Sequence, residues 1–404
     1  MCPRLFVALS MIVRQFLQWL RNAPSGERAD ATSALARAYL HSDLSLDDRA
    51  AAEGAMIMLL DDPSPLVRQA LAEVFASSQA APHVIVHALA ADQPEVARSL
   101  LQRSPLLSDG DLVDLVATAH PESQAAIASR FLLPRSVSAA LAEVGAAQAC
   151  LALLENPDAD ITVFSLDRIV ARFGHLSAIR ENLLTRSDLP ATTRQAALAK
   201  LSQTLAGFVA SRHWLPQDHA QYAAREACEK ATVALAAETP DEEIGMLVTH
   251  LRASGQLTAG MILRAVLSGN IVLFEEALAD LSEMPLESVT NYIHDRMLSG
   301  FHALYRKAGL PDAAYPAFRE AVVALREGVL PLHQAGAARL SRPMVERVLT
   351  CCIEQSGSED IDAIEPLLSL LRRFAVEAAR DEARMFCHDL VAQPVAPAYR
   401  LAAA

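Results

Sequence analysis

Glycine is scarce: 15 of 404 residues, roughly half the ~7% usual in globular chains. So few φ > 0 positions argue against hairpin-rich β folds and against glycine-rich nucleotide loops. Lysine is scarcer still, with only Lys200, Lys230 and Lys307. Arginine supplies most of the 35 basic residues, and they are outnumbered by 48 acidic ones to give a net charge of −13. The bulk field therefore opposes phosphate backbones, and no nucleic-acid partner is expected. Aromatic residues make up 5% of the chain, too thin for base-stacking platforms. The six cysteines form no CxxC pair and read as free thiols of a reducing, cytoplasmic compartment. Long apolar runs are missing too. Residues 5–13 are interrupted by Arg14, and 74–91 carry Pro82, His83 and His87, so neither approaches the ~20 residues of a membrane span.

What is abundant is alanine and leucine, 75 and 58 residues, about a third of the chain and both strong helix formers. An all-α chain is the expectation. Segments opening at 61, 92, 120, 156 and 188 each start with Asp, Asn or His, followed within two residues by Pro63, Pro94, Pro121, Pro157 or Pro190. The steps between these prolines are 31, 27, 36 and 33 residues. A Pro-marked period near thirty residues is the pattern of stacked helical hairpins, each unable to bury its apolar stripe alone. In the first unit Val67, Leu71 and Val74 are the expected buried stripe. Later, Thr239 with Pro240 reads as a helix start. FHALYRKAGLP at 301–311 reads as a helix closed by a left-handed Gly309, with Leu310 folding back and Pro311 as the stop.

Asp62, Pro63, Val67, Arg68, Ala70 and Leu71 resemble the D-P-x-x-x-V-R-x-A-L pattern of a HEAT repeat. That resemblance implies an Asp–Arg bridge between neighbouring repeats. The block from Gly255 to Pro311, above all Gly300, Phe301, Ala303, Leu304, Tyr305 and Ala308–Pro311, is similar to an alphaproteobacterial domain-of-unknown-function family, number 2336. That likeness implies an all-helical fold and no particular activity. The expected architecture is an all-α, HEAT/armadillo-like helical-hairpin solenoid with a C-terminal helical extension. Residues 1–11 read as a disordered segment or a misplaced start, and 12–238 as the repeat region. Residues 239–335 read as the second helical region of the family, 336–391 as C-terminal helices, and 392–404 as a flexible tail.

No catalytic, cofactor or metal constellation is complete. Gly255 and Gly260 have phosphate-loop spacing, but Met261 and Ile262 follow where Lys and Ser/Thr are needed. His83 and His87 share a helical face without a nearby acid to complete a metal set. Cys387 and His388 are adjacent and diverge on a helix. The acids at 109, 111 and 114, at 47 and 48, and at 242 and 243 fall at helix starts, where the dipole favours negative charge. The expectation is a non-enzymatic interaction scaffold, free of cofactors, whose repeat surface binds a protein partner. Trp19, Arg68 and Trp214 are the candidate contact residues. The alternatives are a membrane-peripheral adaptor, held by an amphipathic helix over Met11–Arg21, and an enzyme built on a HEAT-like array.

Overall fold

A computed structural model describes residues 18–19, 22–186, 188–295, 300–328, 338–355 and 361–392, with side chains of the last segment described over 364–388. The other parts of the N-terminal amphipathic stretch, and the tail from 393, lie outside these residues. Among the described residues every regular element is helical: 21 α-helices, one short 3-10 turn and no strand. None of these helices is long and apolar enough to cross a membrane. The chain forms two compact units that divide between Leu189 and Pro190.

The first unit contains α1 (Ser25–His41), α2 (Leu46–Leu59), α3 (Pro65–Phe75), α4 (His83–Ala90), α5 (Pro94–Arg103), α6 (Asp109–Thr118), α7 (Pro121–Ala128), α8 (Arg135–Val144), α9 (Ala147–Glu155), α10 (Val163–Phe173) and α11 (Ser177–Thr185). Apart from α2 and α4, which pack on their immediate neighbours, each helix packs mainly on its next-but-one neighbour. One row runs α1, α3, α5, α7, α9, α11, and α6, α8 and α10 line up in a second. Stacked helical hairpins pack in this way. Proline opens α3, α5 and α7 at the first helical turn, where no interior hydrogen bond is lost. In α3 that residue is Pro65, not Pro63. Pro157 opens no helix, because α10 starts only after Thr162, whose hydroxyl accepts from the Ser165 N–H. The intervening turn is instead held by Asn156, which donates to the carbonyls of Ala128 and Arg130 at 2.7 Å each.

The stripe of α3 also differs from expectation. Val67, Leu71, Ala72 and Phe75 are fully buried, whereas Val74 is only half-buried. The burying face follows 67, 71 and 75, four residues at a time, and so turns Val74 toward its edge.

Polar rungs cross this unit. Arg28 of α1 donates twice to Asp62, at 3.0 and 2.8 Å. Arg68 of α3 donates to both carboxylate oxygens of Asp92, at 2.5 and 3.1 Å, and also to the Asp62 carbonyl. Burial alone would raise the Asp62 pKa, but the hydrogen bonds from Arg28 and the Ser64 N–H hold it below the usual range. Further on the arginines turn to helix ends. Arg130 donates to the carbonyls of Leu101 and Ser104, and Arg172 to those of Ala142 and Gly145. These are the C-terminal carbonyls that a helix leaves unpaired.

The second unit contains α12 (Ala191–Ser211), α13 (Gln217–Glu238), α14 (Asp241–Ala253), α15 (Ala259–Leu267), α16 (Ile271–Ser282), α17 (Leu286–His294), α18 (Phe301–Lys307), α19 (Tyr315–Arg326), α20 (Arg342–Gln355) and α21 (Ile361–Ala392). One core runs through it from Val233 to Ala378. Its aromatic centre stacks Phe274 on Phe318 and sets Tyr305 edge-on to Tyr315. Gly309 has φ +69°, as the sequence predicts, Leu310 is buried, and the Tyr305 hydroxyl donates to the Pro311 carbonyl at 2.7 Å. Thr239 behaves otherwise: its hydroxyl donates back to the Leu235 carbonyl and finishes α13, while Pro240 precedes α14. The sequence changes character near 238, yet the unit boundary comes earlier. The reason is that α12 and α13 form a long hairpin that packs on α14 and α15.

Candidate functional site

The hairpin α12–α13 stands out by chemistry. Each helix is over twenty residues long, about 30 Å at 1.5 Å per residue. The lower half is tied to the core. Buried Gln195 donates to the Gln256 side-chain oxygen at 2.7 Å and shares a 3.1 Å hydrogen bond with His250 Nε2. The Cys228 thiol also reaches Gln256. Burial pushes this thiol up from its ordinary value, so it stays protonated at neutral pH and is a poor nucleophile.

The upper half is different. Between 201 and 224 only Arg212 and Asp218 carry formal charge. Ala199, Ser202, Ala206 and Gly207 of α12 face Ala224 and Cys228 of α13 across a groove of about 850 Å³ with Gln256 in its lining. On the same hairpin Leu205, Phe208, Trp214, Leu215 and Tyr222 are all exposed, Trp214 at 67%, and Leu215 lines the groove. The tip has a defined shape. The Trp214 N–H bonds the Val209 carbonyl and the His213 N–H bonds that of Ala210. His213 sits at φ +57°, where a helix end usually places glycine. Trp214 then stands edge-on to Phe208 at 5.7 Å, and Arg212 lies over the same Phe208 ring.

The other sequence candidates fare differently. Arg68 is engaged on three sides by the rungs of the first unit, so its guanidinium belongs to that unit's internal bonding. Trp19 is 42% exposed, and its carbonyl accepts from the N–H groups of Asn22 and Ala23. His83 and His87 do stack, with ring centroids 6.4 Å apart. Unlike the sequence reading, an acid is near: Asp111 lies 3.8 Å from His87. That carboxylate is already held by the Ser108 hydroxyl and N–H at 2.6 and 2.9 Å. No metal-holding group of three acids, histidines or cysteines occurs among the described residues. Sequence reasoning found Trp214 but missed the groove, whose signal was the charge-poor 201–224 stretch with small residues every three or four positions.

Glu229, one residue beyond Cys228, is half-buried and accepts from the Thr258 hydroxyl at 2.8 Å. Burial raises its pKa above the ordinary 4.5, more than the Thr258 hydrogen bond lowers it. The folded chain thus holds a proton that the unfolded chain releases near 4.5. Stability from this group is full below that pH and is lost as pH rises through the folded value. Glu229→Gln keeps the Thr258 bond and removes the titration. Its urea midpoint should exceed that of the parent chain at pH 8, and the two should converge near pH 4. Equal midpoints at both pH values would refute this assignment.

Residues 96–355 match the model of a family described as an uncharacterised protein conserved in bacteria, DUF2336. The chain belongs to this family. The DUF2336 match enters at α5 and closes with α20, so it contains the whole α12–α13 hairpin and leaves α21 outside. Neither a curated protein nor a solved structure matches the chain.

Proposed function

We propose that this DUF2336 protein is a non-enzymatic interaction scaffold, and that its contact surface for a protein partner is the upper α12–α13 hairpin. The carrying observation is the 850 Å³ groove, with exposed Leu215 in its lining, on the hairpin whose tip also exposes Phe208 and Trp214. Large aromatic side chains beside a concave apolar patch are what binding hot spots are made of. The fitting occupant is an amphipathic helix of the partner. The small side chains of α12 let a third helix approach closely, and its apolar face would replace water on both helices. Arg225 is the one charged side chain in the groove's lining, so affinity comes mainly from apolar burial and depends weakly on salt. We read the first unit as HEAT-like from its Asp–Arg rungs. A cytoplasmic setting suits thiols such as Cys150 and Cys228, which form no disulfide.

The test starts by capturing partners from extract of the source cells on the full chain. The Ala206→Arg variant, which fills the groove, and Trp214→Ser are run beside it, with circular dichroism confirming that each folds. A helical segment of the captured protein is then titrated against all three. We expect both variants to weaken that segment at least tenfold, with little change between 50 and 300 mM salt. Unchanged affinity in both variants would overturn the reading.

A further inference from the structure

A second concavity, of about 640 Å³, lies between α13 and α21 with Arg264 of α15 in its lining. Six basic side chains line it, Lys230, Arg264, Arg372, Arg373, Arg380 and Arg384, against three carboxylates, Glu226, Glu377 and Asp381. In a chain of net charge −13 this is a local reversal of sign. The carboxylates are committed within the fold. Arg264, 2% exposed, donates to both oxygens of Glu377 at 2.8 and 3.0 Å and lies over the Phe374 ring. Lys230 bridges Glu377 and Asp381 at 2.9 and 3.1 Å, and Arg373 faces Glu226 at 3.4 Å. Arg372 donates to Glu365 at 2.8 Å, which leaves Arg380 and Arg384. Arg380 has no carboxylate within ion-pair distance among the described residues. Arg384 reaches Asp381, which Lys230 already holds, and is itself 77% exposed. Inside the lining, the Arg264 Nε is buried without a hydrogen-bond acceptor. Ala223, Ala227 and Val376 add an apolar wall.

The geometry points to a binding site for a nucleoside phosphate. Arg380 and Arg384 take the phosphate oxygens through paired N–H groups, the contact that planar guanidinium makes best. The apolar wall takes the flat body of the ligand, and the volume lies within the ~300–1,000 Å³ of small-ligand sites. This site is separate from the hairpin groove: it shares none of the groove's lining residues and does not depend on the scaffold reading.

Isothermal titration of the full chain with ADP, GDP and adenosine tests the proposal. The variants are the double substitution Arg380→Gln/Arg384→Gln and, independently, Val376→Glu, which sets a carboxylate in the wall. Arg135→Gln, on the exposed face of the first unit, is the control. Saturable one-site binding of ADP or GDP is expected, weakened at least tenfold by the double substitution and by Val376→Glu but not by Arg135→Gln. Adenosine, lacking the phosphate, should bind at least tenfold more weakly than ADP. Absence of saturable nucleotide binding, superimposable curves for chain and double variant, or adenosine binding as well as ADP would each overturn it.

Discussion

Arg264→Met should destabilise the chain by about 3 kcal/mol, the low end of what breaking a buried ion pair costs. The guanidinium is almost wholly enclosed, and its partner Glu377 would be left with Lys230 alone. Burial by itself pushes the Glu377 pKa up, but the hydrogen bonds from Arg264 and Lys230 reverse this and hold it below the ordinary value. A depressed carboxyl contributes stability above its unfolded pKa and loses it as pH falls through the folded one. The gap between parent and variant should therefore be widest at neutral pH and narrow below about pH 4. Urea unfolding at pH 7 and pH 4 measures both. Arg264→Met combined with Glu377→Leu should recover most of the loss, because the isolated charge is then gone and apolar side chains fill the space. A single-variant loss under about 1 kcal/mol, or no recovery in the double variant, would mean that this pair does not organise α15 against α21.

The helical class was legible because alanine and leucine excess and apolar spacing are local properties, summed over many residues. The Asp62 and Arg68 rungs were legible for a related reason: the D-P-x-x-x-V-R stretch itself contains the bridging side chains. What escaped the sequence depends on distant neighbours. Arg264 reads as an ordinary surface arginine in MILRAVL; only the return of α21, over a hundred residues later, encloses it with Glu377 and Phe374. The caps given by Arg130 and Arg172 to earlier helix ends are invisible for the same reason. Thr239 shows a different limit. Threonine followed by proline fits a helix start, yet the same hydroxyl can bond back one turn, and here it does. The groove was half legible. Trp214 stands out by residue type, but alanine, serine and glycine positions announce a concavity only once the two helices are laid side by side.

The four-residue step of α3 sets up a direct comparison of neighbouring side chains. Phe75 is fully buried and meets Tyr39 of α1 edge-on at 6.3 Å. Phe75→Ala removes a large side chain from a site closed by a second helix, and the expected loss is about 3–5 kcal/mol. Leu71, also fully buried, should cost about 2–5 kcal/mol as Leu71→Ala. Val74 lies between them in sequence but only half-buried, so Val74→Ala removes little enclosed surface and should cost less than about 1 kcal/mol. The three variants differ in one helix and leave its Arg68 and Asp62 rungs intact, so urea titration of each at pH 7 reads packing rather than ion pairing. If Val74→Ala proved as costly as Leu71→Ala while Phe75→Ala cost under about 1 kcal/mol, the helix would be burying the 67–71–74 face, and the stacking of α3 on α1 would need to be rotated by about one residue.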